Sequence, residues 1–137
     1  MGAWATGPFE NDDAAGWAGE LNDAEPAELH RLIRAALAEA ADEADYLRVA
    51  VAEVAVAAAA VVAAAQPDGP EFGSGFAPMF LQDGDGLTLP EDLVPLALRA
   101  LDRVVADESE WSELWHDCGD LDAVLSALTP VREALGG

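Results

Sequence analysis

The sequence predicts an all-α fold: a compact, bundle-like domain of five or six helices with a central alanine-rich helix and one long Gly/Pro-rich loop. Three observations lead there. Hydrophobic residues make up 52% of the chain and aromatic residues only 7%. Much of the apolar fraction is alanine, the best helix former and a poor strand residue. Runs of β-branched residues are short, and apolar residues recur at helical spacing between Pro- and Gly-marked breaks. A length of 137 residues fits one domain over 1–137, with an ordered turn at 1–11 and an irregular loop at 66–90.

Each element has its own signal. Asn11, Asp12 and Asp13 precede Ala14, Trp17, Ala18 and Leu21. Short polar side chains accept from the free amides at a helix start, so Asn11 or Asp12 should cap a helix reaching about Leu21. Trp4, Phe9 and Trp17 are expected to clamp the opening turn against this helix and the alanine-rich one. Pro26 suits the first turn of a second helix, with Asn22 and Asp23 as candidate caps. Leu29, Leu32, Ile33, Ala36, Leu37 and Ala40 form its apolar face. The acids Asp42, Glu43 and Asp45 are unfavourable at a helix C-terminus, so a break is expected between Asp42 and Val51. A third helix should then run to Ala65 and stop at Gln66-Pro67. With Glu53 as its only charged residue, it reads as a buried core helix, with Ala57 to Ala64 packed at close range. It is too short and too alanine-rich for a good membrane span.

Beyond the 66–90 loop, Pro90 and Glu91 open a helix with Leu93, Leu96, Ala97, Ala100, Leu101, Val104 and Val105 inward. Pro95 should shift its start or kink it. After a break at Asp107 to Ser109, Trp111, Leu114 and Trp115 mark a short helix stopped by Gly119. Asp120 is a candidate cap for a last helix whose Leu121, Val124, Leu125 and Leu128 face inward before Pro130.

Charge narrows the function classes. There are 27 acidic residues against 6 basic ones, a formal net charge of −21, and every basic residue is arginine. Such a surface repels phosphates and anionic lipid heads, which disfavours direct nucleic-acid or membrane binding and permits a basic protein partner. Cys118 is the only cysteine. With no disulfide possible within the chain and no secretory signal pattern at the start, a cytoplasmic location is expected.

The opening Met1-Gly2-Ala3-Trp4, then Gly7-Pro8-Phe9-Glu10-Asn11-Asp12-Asp13-Ala14 and Trp17, resembles a bacterial family of small acidic domains of unknown function. That family opens M-G-x-W-G-x-G-P-F-x-N-D-x-A-x-D-W. Ala5 and Gly16 depart from its usual Gly and Asp. The stretch from Ala100 to Gly119, with Leu101, Arg103, Val104, Glu110, Glu113, Leu114 and Trp115, resembles the family's second characteristic segment. The resemblance implies a helical domain and supplies no chemistry.

Motifs that carry chemistry are few. Glu113-Leu114-Trp115-His116 places a carboxylate and an imidazole one helical turn apart, but a carboxylate-bridged di-metal bundle needs that motif twice. A histidine near a helix C-terminus is favourable in its own right. His116 and Cys118 lack the second ligand pair that zinc requires, and Asp117, adjacent on the helix, should point away from His116. Acidic neighbours leave the Cys118 thiol without a thiolate-stabilising field. Asp83-Gly84-Asp85-Gly86 with Asp92 suggests a calcium loop, but Leu81 stands where the first carboxylate must be. No cofactor and no metal are therefore assigned.

The first functional reading is a non-enzymatic acidic domain that binds a basic protein, an immunity or regulatory protein being the concrete form. Phe72, Phe76, Met79 and Phe80 would be apolar anchors and Asp83 and Asp85 a charged rim. The alternative is a metal-binding or enzymatic helical domain using Glu113 and His116. A third reading is a DNA mimic, which needs carboxylates arrayed like phosphates.

Overall fold

The computed structural model describes residues 12–66 and 89–136. Among them lie six helices and no strand: α1 (Asp12–Asp23), α2 (Pro26–Ala41), α3 (Val49–Ala64), α4 (Leu93–Val105), α5 (Glu110–Cys118) and α6 (Leu121–Ala134). The expected all-α bundle is what forms. Trp4, Phe9 and Asn11 of the opening block lie outside the described residues, whereas Trp17 is buried on α1.

Every residue of α3 from Ala55 to Ala63 is buried. A helix covered over more than two turns has no solvent face, so it must be wrapped, and α1, α2, α4, α5 and α6 all pack on it. Alanine and valine make this possible, because short side chains let neighbouring helix axes approach closely and fill the space without voids. The bulk comes from the neighbours: Leu21 of α1, Ile33 and Leu37 of α2, Leu93 and Leu101 of α4, and Leu128 of α6 are all fully buried. Each such side chain contributes about 1.5–3 kcal/mol by leaving water. Glu53 is buried too, and no buried side-chain nitrogen or oxygen among the described residues lacks a hydrogen-bond partner. No described helix is long and apolar enough to cross a membrane.

Several boundaries differ from the sequence expectation for identifiable reasons. α1 runs on to Asp23, so Asn22 and Asp23 close it rather than cap α2. Glu25 occupies the N-cap of α2 without a side-chain bond, and Pro26 alone marks the start. α4 begins at Leu93, which puts Pro95 third in the helix, within the first turn where proline is tolerated. Asp120 stands at the N-cap of α6 but its side chain accepts no amide. α6 also continues through Pro130 to Ala134, because Val131 and Leu135 bury below the proline and hold the last turn. Leu125, expected inward, is 36% exposed, one position off the buried Val124–Leu128–Val131 row.

Scarce positive charge sits at the joints. Arg34 of α2 makes a forked pair with Asp92 at the start of α4, with bonds of 2.5 and 3.1 Å. That pairing holds the Asp92 carboxyl below the usual carboxylate range. Arg99 of α4 reaches Asp42 at the end of α2, and Arg132 of α6 reaches Asp102 of α4, each at 3.0 Å. Arg31 pairs with Glu28 one turn away on the same helix.

The wrapped helix sets a test. Ala58 has no exposed surface, so Ala58→Leu forces extra methylenes into a filled space and should destabilise by about 1–3 kcal/mol. Urea unfolding followed by circular dichroism reads this as a lower midpoint with an unchanged slope.

Candidate functional site

Two linkers meet at one end of the bundle. The 42–48 segment joins α2 to α3, and the 106–109 segment joins α4 to α5. They touch through an isolated parallel bridge between Leu47 and Ser109. Leu47 N–H donates to the Glu108 carbonyl and Glu110 N–H to the Leu47 carbonyl, both at 2.8 Å.

Arg103, from the last turn of α4, ties these linkers together. Its Nε donates to the Glu43 carbonyl at 2.9 Å, and Nη1 to the Asp107 carbonyl at 3.3 Å. Its Nη2 donates to the carbonyls of Asp45 and Glu108. A guanidinium presents donors in a planar fork, so one side chain can satisfy carbonyls from two segments at once. Ser109 completes the corner: its hydroxyl donates to the Val104 carbonyl at 2.6 Å and accepts from Ser112 N–H at the start of α5. This is the side-chain cap that the sequence left unassigned.

Two carboxylates of α5 then reach across to the first linker. Glu110 accepts from Val49 N–H at 2.9 Å and so caps the N-terminus of α3 from another helix. Glu113 accepts from the Tyr46 hydroxyl. That hydrogen bond, then partial desolvation, then the negative charges of Glu113, Glu110 and Glu108 push the Tyr46 phenol up to about 12. Removing its proton would set an anion against carboxylates.

A cleft of about 430 Å³ opens on the outer side of this corner. Ala106, Asp107, Glu108 and Ser109 line it from the linker, Ser112, Glu113, His116 and Asp117 from α5, and Leu121 from α6. Its walls are therefore acidic. Asp117 does not point away from His116 as expected: its carboxylate lies 3.8 Å from Nδ1, within coulombic range but beyond a hydrogen bond, and both side chains are largely exposed. Cys118 is exposed. Among the described residues no group of three or more His, Cys, Asp or Glu side chains is arranged to hold a metal ion.

The sequence-assigned residues divide in two. Glu113 and His116 line the cleft together. Phe72, Phe76, Met79, Phe80, Asp83 and Asp85 lie outside the described residues, and Asp92 of the imagined calcium loop is paired with Arg34. Sequence reasoning missed Tyr46 as the partner of Glu113 and Arg103 as a clamp. Arg103 and Glu110 stand in the Ala100–Gly119 stretch that resembles a family segment, and that stretch was the only available signal for them, whereas Glu113 was also marked by its spacing to His116.

A model of the family described as Domain of unknown function (DUF4259) matches residues 2–127. No curated protein and no solved structure is matched by the chain.

Two expectations follow. Arg103→Ala leaves its carbonyl acceptors without their donor and should cost about 2–4 kcal/mol of unfolding free energy in denaturant titration. Arg103→Lys should recover only part of this, because an ammonium cannot span both linkers. Tyr46 is the only tyrosine, so phenolate absorbance near 295 nm should titrate with one midpoint near 12 in the folded protein. Glu113→Gln should move that midpoint towards the unperturbed value of about 10. Because the folded value is the higher one, the stabilisation linked to this proton is complete below about pH 10 and is lost as pH rises towards 12.

Proposed function

The chain belongs to the DUF4259 family of domains of unknown function, and on that premise we propose that it is a non-enzymatic acidic domain that binds a basic protein, working in the cytoplasm as an immunity or regulatory protein. The observation that carries this reading is how the few cations are committed. Of the 6 basic residues, Arg31, Arg34, Arg99 and Arg132 pair with carboxylates of the same chain, Arg103 is held by backbone carbonyls, and Arg48 stands exposed at the N-cap of α3. Arg103 reaches Asp107 and Glu108 only at their backbone carbonyls, and among the described residues no arginine pairs with the carboxylates of Asp107, Glu108 or Asp117 at the cleft. Lysine or arginine side chains of a partner would supply the missing charge there. Complementary fields of this kind raise association rates and select partners by charge. The apolar part of the contact is assigned, from sequence, to Phe72, Phe76, Met79 and Phe80, with Asp83 and Asp85 at its rim.

Affinity capture of the full chain from native cells, at low and at physiological salt, tests this directly. A basic protein should be retained at low salt and progressively released as salt screens the pair. An Asp107→Asn, Glu108→Gln, Asp117→Asn triple variant should lose about 10-fold or more in affinity for that protein, mainly through slower association once the steering charge is gone. Recovery of no protein at either salt concentration rules the reading out.

A further inference from the structure

The bundle holds its elements in two different ways, and α5 is where they part. α2, α3 and α4 pack on one another through rows of buried apolar side chains. α5 buries only Trp111, whose ring meets that of Trp115 edge-on with centroids 6.4 Å apart. Leu114 and Trp115 are half-buried, and His116, Asp117 and Cys118 are exposed. The remaining hold on α5 is polar and comes from its first turn: Glu110 N–H on the Leu47 carbonyl, Val49 N–H on the Glu110 carboxylate, and the Tyr46 hydroxyl on Glu113.

The backbone turns left-handed on both sides of this helix, at Glu108 with φ 60° and at Gly119 with φ 80°. Glutamate has no intrinsic preference for that region, so Glu108 is kept there by the bonds its carbonyl accepts from Leu47 N–H and Arg103. At Gly119 nothing stands within 4 Å of where a Cβ would be, so glycine is needed there for the backbone angle and not for space.

We infer that α5 is a detachable strap, which opens as one unit on the Glu108 and Gly119 turns while α2, α3 and α4 stay packed, with the hydrogen bonds to Tyr46 and Leu47 setting how often it opens. An element with few buried apolar contacts and solvent-facing hydrogen bonds opens at lower free energy than the core it rests on. Opening carries Ser112, Glu113, His116 and Asp117 away from Asp107 and Glu108, which stay with Arg103 at the end of α4. The cleft is thus complete only when the strap is down. Opening also uncovers Trp111, the one large apolar side chain that α5 buries. The inference stands on the packing of α5 and is independent of what the cleft binds.

Hydrogen exchange of the full chain, read by mass spectrometry over a series of low urea concentrations, tests it. Amides of 110–118 should exchange well before those of 55–63, with little dependence on urea. Tyr46→Phe removes one pin without disturbing the core. It should speed exchange in 110–118 by about 3- to 10-fold, the worth of one hydrogen bond, and leave 55–63 unchanged. Equal exchange in the two segments with the same urea dependence overturns the strap, because α5 then opens only with the whole bundle. So does a Tyr46→Phe protein in which both segments speed up alike, or in which 110–118 does not respond.

Discussion

A helix without a polar face governs this structure. Because α3 is buried continuously from Ala55 to Ala63, no arrangement that leaves one of its sides open is stable in water. Five helices must surround it, and they can do so only at short range, since alanine offers little reach. The hydrophobic effect acts here through neighbours: leucine, isoleucine and tryptophan from α1, α2, α4, α5 and α6 lose their water against a surface of methyl groups. Small residues at the centre and large ones around it also explain how a chain with so few aromatics still closes a core.

Wrapping alone does not fix where the linkers go. That is decided by polar groups, and in a chain with 27 acids and 6 bases four of the arginines sit where segments join. Arg34, Arg99 and Arg132 each bridge two elements, and Arg103 bridges two linkers. Exposed ion pairs of the first kind give register more than stability, since water and salt screen them. Arg103 is different in kind, because its partners are backbone carbonyls that would otherwise need water. The same junction places Glu110 over the first amide of α3 and Ser109 under the first turn of α5. One corner therefore starts two helices.

That corner also makes the cleft. Tyr46, Leu47, Arg103 and Glu110 bind the linkers to each other, while His116, Asp117 and Leu121 line the cleft beside them. Glu113 belongs to both sets, since it lines the cleft and accepts from Tyr46. Structure and candidate site are consequently coupled through α5, which buries Trp111 alone and is pinned by polar bonds to the first linker.

The sequence by itself determined the helices and their buried rows. The apolar spacing on α2, the alanine run of α3, the proline start of α2 and the glycine stop of α5 are local patterns, written within a few residues of the structure they produce. It also determined the net charge, and through the Glu113-to-His116 spacing it put two cleft residues on one helix face. Only the tertiary structure decided that Tyr46 meets Glu113, 67 positions away, or that Arg103 reaches Glu43 and Asp45, 60 and 58 positions back. It likewise decided that α6 runs through Pro130, because the burial of Val131 and Leu135 outweighs the bond that proline cannot make. The physical reason is range: helical periodicity repeats every few residues and can be read along the chain, whereas a hydrogen bond between two linkers exists only after the helices between them have packed.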